Sequence, residues 1–172
     1  MQQQWDIILR DLPEQGCAWD VSLPRSVMAD VHVGTVQAIE ALCGDVHWRG
    51  EIARKGECYH LTGHWQAAIR RQCCRCLRQF DWQVAGDVVR DFRLAQRDGA
   101  PDDEDVLPPP GELALVDLVR EEIWLAWRGD VPCDEACKGL CPSCGCDLNT
   151  GSCHCREDND HHPFAALRKL KL

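Results

Sequence analysis

The stretch that decides the fold is YHLTGHWQAAIRRQCCRCLRQFDWQVAGDVVRDFRL, residues 59–94. Its first part alternates apolar and more polar residues from Tyr59 to Ile69, which is the period of a half-buried strand. A second such run begins at Phe80 and continues to Leu94, with a β-bulge expected near Gly86. The two runs predict a β-hairpin whose tip is the segment 70–78, rich in cysteine and arginine.

Outward from this hairpin, the pattern predicts further strands and one main helix. Short strands are expected over residues 6–12 and 18–23, and residues 31–42 favour a strand over a helix because they begin with β-branched side chains. Apolar residues at helical spacing predict a helix over residues 112–127, and a shorter one follows over residues 163–170. The predicted fold class is α+β: an antiparallel β-rich sheet or open barrel, one main helix and a C-terminal cysteine-rich zinc segment.

Residues 96–111 change in composition, with five aspartates or glutamates followed by three consecutive prolines. Such a segment is typical of a solvated, extended linker. We therefore predict a β-rich domain over residues 1–95, which carries the first cysteine pair, and a linker over residues 96–111. The helix and the cysteine-rich zinc segment, residues 112–172, are expected to pack on the first part.

The composition of the 172 residues excludes several classes of protein. No apolar run approaches the roughly 20 residues that cross a bilayer, so no membrane contact is expected. The N-terminus resembles no secretory signal, which predicts a cytoplasmic protein.

The 13 cysteines are odd in number and mostly clustered, which favours metal ligands over disulfides. A net charge of −9 argues against coating nucleic acid by bulk attraction.

The most specific motif is Cys141-Pro142-Ser143-Cys144-Gly145. Two residues between cysteines let one tight turn direct both sulfurs at one Zn²⁺ ion, which is tetrahedral and prefers thiolate ligands. Glycine after the second cysteine can take the left-handed backbone conformation that such a turn needs. Since the ion needs four ligands, we predict a first zinc site formed by Cys73, Cys76, Cys141 and Cys144.

Four cysteines remain at C-x₃-C and C-x-C spacing: Cys133, Cys137, Cys153 and Cys155. They form a second zinc site, or one or two of them complete the first site. The sequence does not decide whether the chain binds one zinc ion or two. Spare ligands are His154, His161 and His162, and Cys146 adds ambiguity about which sulfurs bind.

Other conspicuous residues have simpler interpretations. Cys17, Cys43 and Cys58 lack a cysteine at ligand spacing and are expected to be small core residues. His60 and His64 fall in a predicted strand and are expected on the surface, while the seven tryptophans are expected in the core rather than as a base-stacking platform. Four arginines near the hairpin tip could contact phosphate or offset thiolate charge: Arg70, Arg71, Arg75 and Arg78.

The sequence predicts no enzyme. It contains no phosphate-binding glycine loop, nucleophile elbow or histidine-rich hydrolytic metal motif. A site made of four sulfurs leaves no coordination position for water, so its metal is expected to be structural.

The order of these segments resembles one family. The matching segments are Cys73-x-Arg75-Cys76-Leu77, the helix at residues 116–126, residues 137–149, Cys153-His154-Cys155 and residues 163–167. Together they resemble the YceD family, the large ribosomal RNA subunit accumulation proteins of bacteria and plastids. The sequence departs from that pattern at Cys146, and at His161-His162-Pro163-Phe164, where many members carry Asp-Pro-Arg.

The resemblance implies a cytoplasmic, non-enzymatic factor for accumulation of large-subunit ribosomal RNA or assembly of the large subunit. A ribosomal protein or pre-ribosomal particle is the expected partner, through the acidic residues 102–105, and direct RNA contact through the hairpin arginines is the alternative. Two rival functions are a zinc-dependent redox-sensing chaperone and a zinc-ribbon nucleic-acid-binding regulator, the latter disfavoured by the acidic charge.

Overall fold

The computed structural model describes residues 5–29, 42–95, 105–128 and 130–155. The chain divides into two compact units: one contains residues 1–71 and 80–129, the other residues 72–79 and 130–172. The three-part division at residues 95 and 111 follows composition, and it stays a prediction.

The described elements, in chain order, are β1 (Asp6–Ile8), a 3₁₀ turn (Leu9–Asp11), β2 (Cys17–Leu23), α1 (Arg25–Ala29), β3 (Val46–Lys55), β4 (Cys58–Gln72), β5 (Gln79–Leu94), β6 (Val106–Leu107), β7 (Glu112–Ala114) and α2 (Leu115–Leu125).

The main sheet has five strands in the order β2-β3-β4-β5-β6 and curls into a half-barrel. Strands β2, β3 and β4 pair antiparallel, with Gly50 of β3 opposite Gly63 of β4. Strand β6 pairs parallel to β5. The predicted α+β class, with a β-rich sheet, one main helix and a cysteine-rich C-terminal segment, is confirmed.

Two glycines of this sheet make room for tryptophan. A Cβ on Gly63 would lie 2.3 Å from the Trp48 ring, and one on Gly86 would lie 2.7 Å from Trp65 Nε1. Both indoles are almost fully buried, as predicted for core tryptophans. Side chains alternate without a break through Gly86 in β5, whereas a bulge would shift their phase. The predicted bulge is therefore wrong, and Gly86 instead accommodates the Trp65 ring.

Other strands depart from their predicted bounds. The strand expected at residues 6–12 ends at Ile8, where the 3₁₀ turn begins. Strand β3 was not predicted, although Val46, Trp48 and Ile52 lie buried along it. Residues 106–107, assigned to the linker by composition, pair with β5 and so extend the sheet.

Helix α2 is shorter than the predicted helix 112–127. It begins at Leu115 because the three residues before it form β7, which pairs with β1. Its apolar side belongs to the same buried cluster as Trp48 and Trp65, and the side chains concerned are Leu115, Val116, Leu118, Val119 and Ile123. Burial against the sheet, rather than helix propensity, therefore stabilises this short helix.

Two predicted elements fall mainly outside the described residues. They are the helix at 163–170 and most of the segment 31–42, of which Leu42 makes an isolated bridge to Ile69. In the part of the chain that the structure describes, no helix has the length and apolarity needed to span a bilayer.

Candidate metal centres

The connection between β4 and β5, residues 73–78, is a tight turn built around one sulfur. The Leu77 N–H donates to the Cys73 carbonyl at 3.1 Å, which closes the turn. The N–H groups of Arg75 and Cys76 then both point at Cys73 Sγ, at 3.4 Å. Leu77 takes the left-handed conformation, with φ of 59°. Hydrogen bonds of this kind favour the thiolate form of the cysteine that accepts them.

Two cysteines after residue 130 complete the first tetrad, which we define as Cys73, Cys76, Cys133 and Cys137. All four sulfurs lie within 4.8 Å of one another. The Cys73–Cys137 and Cys76–Cys133 Sγ separations are 3.8 and 3.7 Å. A tetrahedron with Zn–S bonds of about 2.3 Å has edges of about 3.8 Å, whereas a disulfide needs about 2.05 Å. The sulfurs are thus spaced as ligands of one ion.

Backbone groups bring the two pairs of this tetrad together. The Cys74 N–H donates to the Val131 carbonyl at 3.2 Å, and the Cys133 N–H donates to Cys73 Sγ at 3.3 Å. An Asx turn, in which the Ala136 N–H donates to Asp134 Oδ1 at 2.7 Å, reverses the chain so that Cys137 follows.

Three of the four cysteines in the first tetrad are buried, and neighbouring groups shift the pKa values of two of them. Burial would raise the pKa of Cys73, but the N–H groups of Cys76, Cys133 and Arg75 outweigh it and lower that pKa to about 6. The Arg78 N–H lowers the pKa of Cys76, yet burial and the neighbouring thiols together raise it to about 12. A bound cation would favour the thiolate form of all four cysteines.

Two hairpin arginines serve this tetrad. Arg78 Nη2 donates to Cys133 Sγ at 3.4 Å, and Arg75 Nη1 donates to the carbonyls of Glu135 and Cys137, each at 2.9 Å. Both arginines therefore lie beside the sulfur cluster, where their positive charge offsets thiolate charge. This is one of the two roles that the sequence predicts for the hairpin arginines.

The segment 141–145 repeats the hairpin turn almost contact for contact. The Gly145 N–H donates to the Cys141 carbonyl at 2.9 Å, as Leu77 does to Cys73. The N–H groups of Cys144 and Ser143, with the Cys153 thiol, lower the pKa of Cys141 to about 6. The left-handed position is here glycine, with φ of 74° for Gly145. The sequence motif thus forms the turn that its spacing predicts.

The second tetrad, defined as Cys141, Cys144, Cys153 and Cys155, also holds its sulfurs within 4.8 Å of one another. A bridge between Leu140 and Asp147 and a turn at Asp147 return the chain towards Cys153. Only Cys141 of the four is buried, while Cys144 and Cys155 are exposed. The thiol of Cys144, followed by burial, raises the pKa of Cys155 to about 12.

A fifth cysteine lies beside the second tetrad. The neighbouring Cys144 thiol, burial and the Cys153 thiol raise the pKa of Cys146 to about 12. Its backbone carbonyl accepts the Cys141 N–H at 2.9 Å. Cys146 is therefore built into the same turn as the tetrad.

The structure brings together all eight predicted ligands but groups them differently. Cys73 and Cys76 meet Cys133 and Cys137, and the predicted partners Cys141 and Cys144 lie with Cys153 and Cys155. The short connection 145–152 closes the second tetrad at a lower entropic cost than a pairing with the distant hairpin. Spacing identifies cysteine pairs, but it does not say which pairs meet.

The remaining sequence predictions have mixed outcomes. Cys43 is exposed, with its Sγ 3.3 Å from Asp81 Oδ1, so its assignment to the core is wrong; Cys17 and Cys58 are only half-buried. His154 is exposed outside both tetrads, and residues 161–162 lie outside the described part. His60 and His64 lie in β4, where their Nδ1 atoms are 2.7 Å from Asp91 and Asp87.

The other two hairpin arginines make contacts within the sheet unit. Arg70 forms an ion pair with Asp81. Arg71 is buried with its guanidinium 3.7 Å from the Trp127 ring centroid, a cation–π contact, and burial lowers its pKa.

Fold and site together define a β-rich protein with two four-cysteine clusters, each of which could hold a metal ion. The chain belongs to the YceD family: the family model described as large ribosomal RNA subunit accumulation protein YceD matches residues 61–171. It is similar to the chloroplastic large ribosomal RNA subunit accumulation protein YCED homolog 1 of Arabidopsis thaliana, with 38% identity over 72 residues. That match covers 38% of this chain and 22% of the relative's length. No solved structure matches the chain.

Proposed function

We propose that this chain is a non-enzymatic, cytoplasmic factor for accumulation of large-subunit ribosomal RNA, with one Zn²⁺ at each tetrad. The observation that carries the proposal is that the family match over residues 61–171 contains all eight tetrad cysteines. The sequence shared with the family is therefore the sequence that builds both candidate sites.

The chemistry of the donor sets supports zinc in a structural role. Each tetrad offers four sulfurs within 4.8 Å of one another, a donor set that suits a soft-to-borderline ion such as Zn²⁺. Four protein ligands leave no position for a reactive water, so the ion would order the polypeptide rather than activate a substrate. The residues that would hold it are Cys73, Cys76, Cys133 and Cys137, and Cys141, Cys144, Cys153 and Cys155.

Charge favours a basic protein as the partner over naked RNA. The net charge of −9 would become about −13 with two four-thiolate zinc sites, each of about −2. Such a chain repels phosphate at long range. A large-subunit ribosomal protein, alone or in a pre-ribosomal particle, is the partner class that this charge suits.

An acidic rim in the sheet unit offers a place for that partner. A cavity of about 210 Å³ has apolar walls that include Phe92 and Leu113. Four carboxylates also line it, those of Asp105, Glu112, Asp117 and Glu121, and Arg90 lies among them and forms ion pairs with Asp105 and Glu121. Of the predicted acidic segment 102–105, the described residue Asp105 thus lies on this rim. Apolar walls with an acidic rim suit lysine or arginine side chains, whose stems are apolar and whose ends are charged.

Direct RNA contact through the hairpin arginines has less support. Arg75 and Arg78 hold the first tetrad, Arg70 pairs with Asp81, and Arg71 is buried. Phosphate binding would compete with these contacts.

A redox-sensing chaperone is the second candidate function, and the exposure of Cys144 and Cys155 favours it. Oxidation of those thiols by a peroxide would displace metal and form a disulfide. Peroxide-dependent protection of an unfolding client protein, with unchanged ribosomal RNA levels on depletion, would support this function over the first.

Depletion of the protein, followed by sucrose-gradient and ribosomal RNA quantification, tests the proposal. We expect the large-subunit RNA to fall while the small-subunit RNA changes much less. Re-expression of the Cys73→Ser variant should fail to restore it, whereas the matched control Cys58→Ser, outside both tetrads, should restore it. Normal levels of both RNAs after depletion would contradict the proposed function.

The partner route is tested by a pull-down after nuclease treatment. Ribosomal proteins should remain bound, and Glu112→Lys should weaken their capture, whereas Glu14→Lys, an equal charge change at an exposed site elsewhere, should not. Loss of capture on nuclease treatment would instead indicate contact through RNA.

A further inference from the structure

One side chain of the loop that closes the second tetrad reaches the first tetrad. Asn149 lies in the connection 145–152, and its Nδ2 donates to Cys137 Sγ at 3.5 Å. Its Oδ1 accepts the N–H of Lys138, the residue directly after that cysteine, at 2.8 Å. The side-chain amide of Asn149 therefore contacts both the sulfur of Cys137 and the backbone that follows it.

Contacts within its own loop fix the orientation of this amide. Asn149 Nδ2 also donates to Asp147 Oδ1 at 2.6 Å, and the Asn149 backbone N–H donates to the same oxygen at 2.9 Å. An amide nitrogen has two hydrogens, so one serves Asp147 and the other serves Cys137. Exchange of the amide nitrogen and oxygen would place oxygen against the sulfur and the carboxylate, and nitrogen against the Lys138 N–H. One orientation of Asn149 therefore satisfies all three partners.

Backbone contacts join the same loop to the hairpin turn of the first tetrad. The Leu148 N–H donates to the Gly139 carbonyl at 2.9 Å, and the Leu140 N–H donates to the Arg75 carbonyl at 3.1 Å. A Cβ on Gly139 would lie 3.0 Å from the Arg75 carbonyl oxygen, so the two backbone segments are in close contact there. All these residues belong to the compact unit that contains both tetrads. The loop of one tetrad and the turn of the other are thus packed together.

We infer that Asn149 couples the two tetrads, so that an ion bound at one raises the affinity of the other for its own ion. With the second tetrad filled, the connection 145–152 is held in place and Asn149 stays against Cys137. A hydrogen bond from a positioned neighbour to a metal ligand raises metal affinity. The inference rests on the proposed function in one respect, that both tetrads hold Zn²⁺.

Coupling between two binding sites is reciprocal, so the effect must also run in the opposite direction. With the first tetrad filled, Cys137 is fixed and gives Asn149 a fixed partner, which favours the ordered form of the connection 145–152. The second tetrad has only one buried cysteine, whereas the first has three. The exposed tetrad would therefore gain affinity from the more buried one.

Zinc affinities of full-length variants, measured by competition with a chelator of known affinity, test the inference. Cys153→Ser leaves only the first tetrad with four sulfurs, and Cys73→Ser leaves only the second. We define the coupling factor as the product of the two wild-type affinities divided by the product of the affinities of these two variants. Coupled sites typically differ from independent ones by about 5- to 150-fold, so we expect a coupling factor of at least about five.

The role of Asn149 is tested by repeating these measurements in two further backgrounds. Asn149→Asp keeps the oxygen that accepts the Lys138 N–H but removes the donor to Cys137, and Asn149→Ala removes both without adding charge. In each background the coupling factor should fall to the value of independent sites. A loss of loop stability alone would weaken the second tetrad whether or not the first is intact, so it would cancel from the coupling factor.

Thr150→Ala is the matched control. Its hydroxyl donates to the Asp147 carbonyl at 3.4 Å, within the same loop, and the coupling factor should stay at the wild-type value. A wild-type coupling factor in both Asn149 variants would overturn the inference, and so would two ions in wild type that bind independently; neither result affects the proposed zinc sites. Fewer than two ions in wild type would overturn those sites, and this inference with them.

Discussion

The turns at residues 73–77 and 141–145 have the same hydrogen bonds and different surroundings. In each, two backbone N–H groups point at the first sulfur and a third closes the turn on the carbonyl of the same cysteine. The first turn leads to a tetrad with three buried cysteines and an arginine on one sulfur. The second leads to a tetrad with one buried cysteine, while Cys144 and Cys155 are exposed.

The difference separates two properties of a metal site. The local turn sets how two sulfurs are presented to an ion, and it is the same in both tetrads. Burial and neighbouring charge control access of water, protons and competing ligands, and they differ. We therefore expect the first tetrad to retain a bound ion more firmly than the second, whose sulfurs are more exposed.

The largest expected effect comes from removal of a buried ligand. Cys73→Ser removes the sulfur that accepts three backbone N–H groups, so it should cost the first tetrad its zinc and lower the melting temperature markedly. Cys153→Ser, in the more exposed tetrad, should lower it less. Differential scanning calorimetry checks this; an equal or larger decrease for Cys153→Ser would remove the distinction between the tetrads.

The next effect tests the neighbouring charge. Arg78→Met keeps most of the side-chain volume but removes the donor to Cys133 Sγ. Partners of metal ligands commonly change affinity by about 10–100-fold, so we expect the first tetrad to bind zinc at least about tenfold more weakly. Competition with a chelator of known affinity measures this. Arg54→Met, a surface control in β3, should leave both affinities unchanged, and an effect of that size there would indicate a nonspecific loss of charge.

The smallest effect concerns the left-handed position that ends each turn. Leu77 occupies it at φ of 59°, and Gly145 at 74°. A side chain in this conformation costs about 1–2 kcal/mol, so Leu77→Gly should stabilise the first turn and Gly145→Leu should destabilise the second by about that amount. Urea unfolding of the zinc-loaded variants provides the measurement. Changes of the same sign in both variants would show that side-chain contacts, not backbone conformation, dominate.

The sequence predicts the sheet best where burial alternates strictly. Burial alternates along all of β5 and along β4 except around Gly63, and their hairpin places the first cysteine pair correctly at its tip. Strand β3 is missed because Gly50, which has no side chain, interrupts its apolar face between Trp48 and Ile52, and the Trp48 ring lies where a Gly50 side chain would be. The start of α2 is misjudged because β7 depends on pairing with β1, a contact distant in sequence.

The sequence identifies the eight cysteines of the tetrads as candidate metal ligands, but it does not identify which four belong together. Each C-x₂-C pair has a local cause, a single turn with N–H···S contacts, which spacing reveals. The assignment of Cys133 and Cys137 to the hairpin depends instead on contacts such as that between the Cys74 N–H and the Val131 carbonyl. No local pattern encodes a contact between segments so far apart in the chain.

The grouping of the eight cysteines is the central claim, and zinc content of two double variants tests it most directly. In the structure, Cys73 and Cys133 belong to one tetrad and Cys141 to the other. Cys73→Ser with Cys133→Ser should therefore remove one zinc ion, and Cys73→Ser with Cys141→Ser should remove both. The opposite result, loss of both ions from the first variant and of one from the second, would contradict the structure and support a site formed by Cys73, Cys76, Cys141 and Cys144.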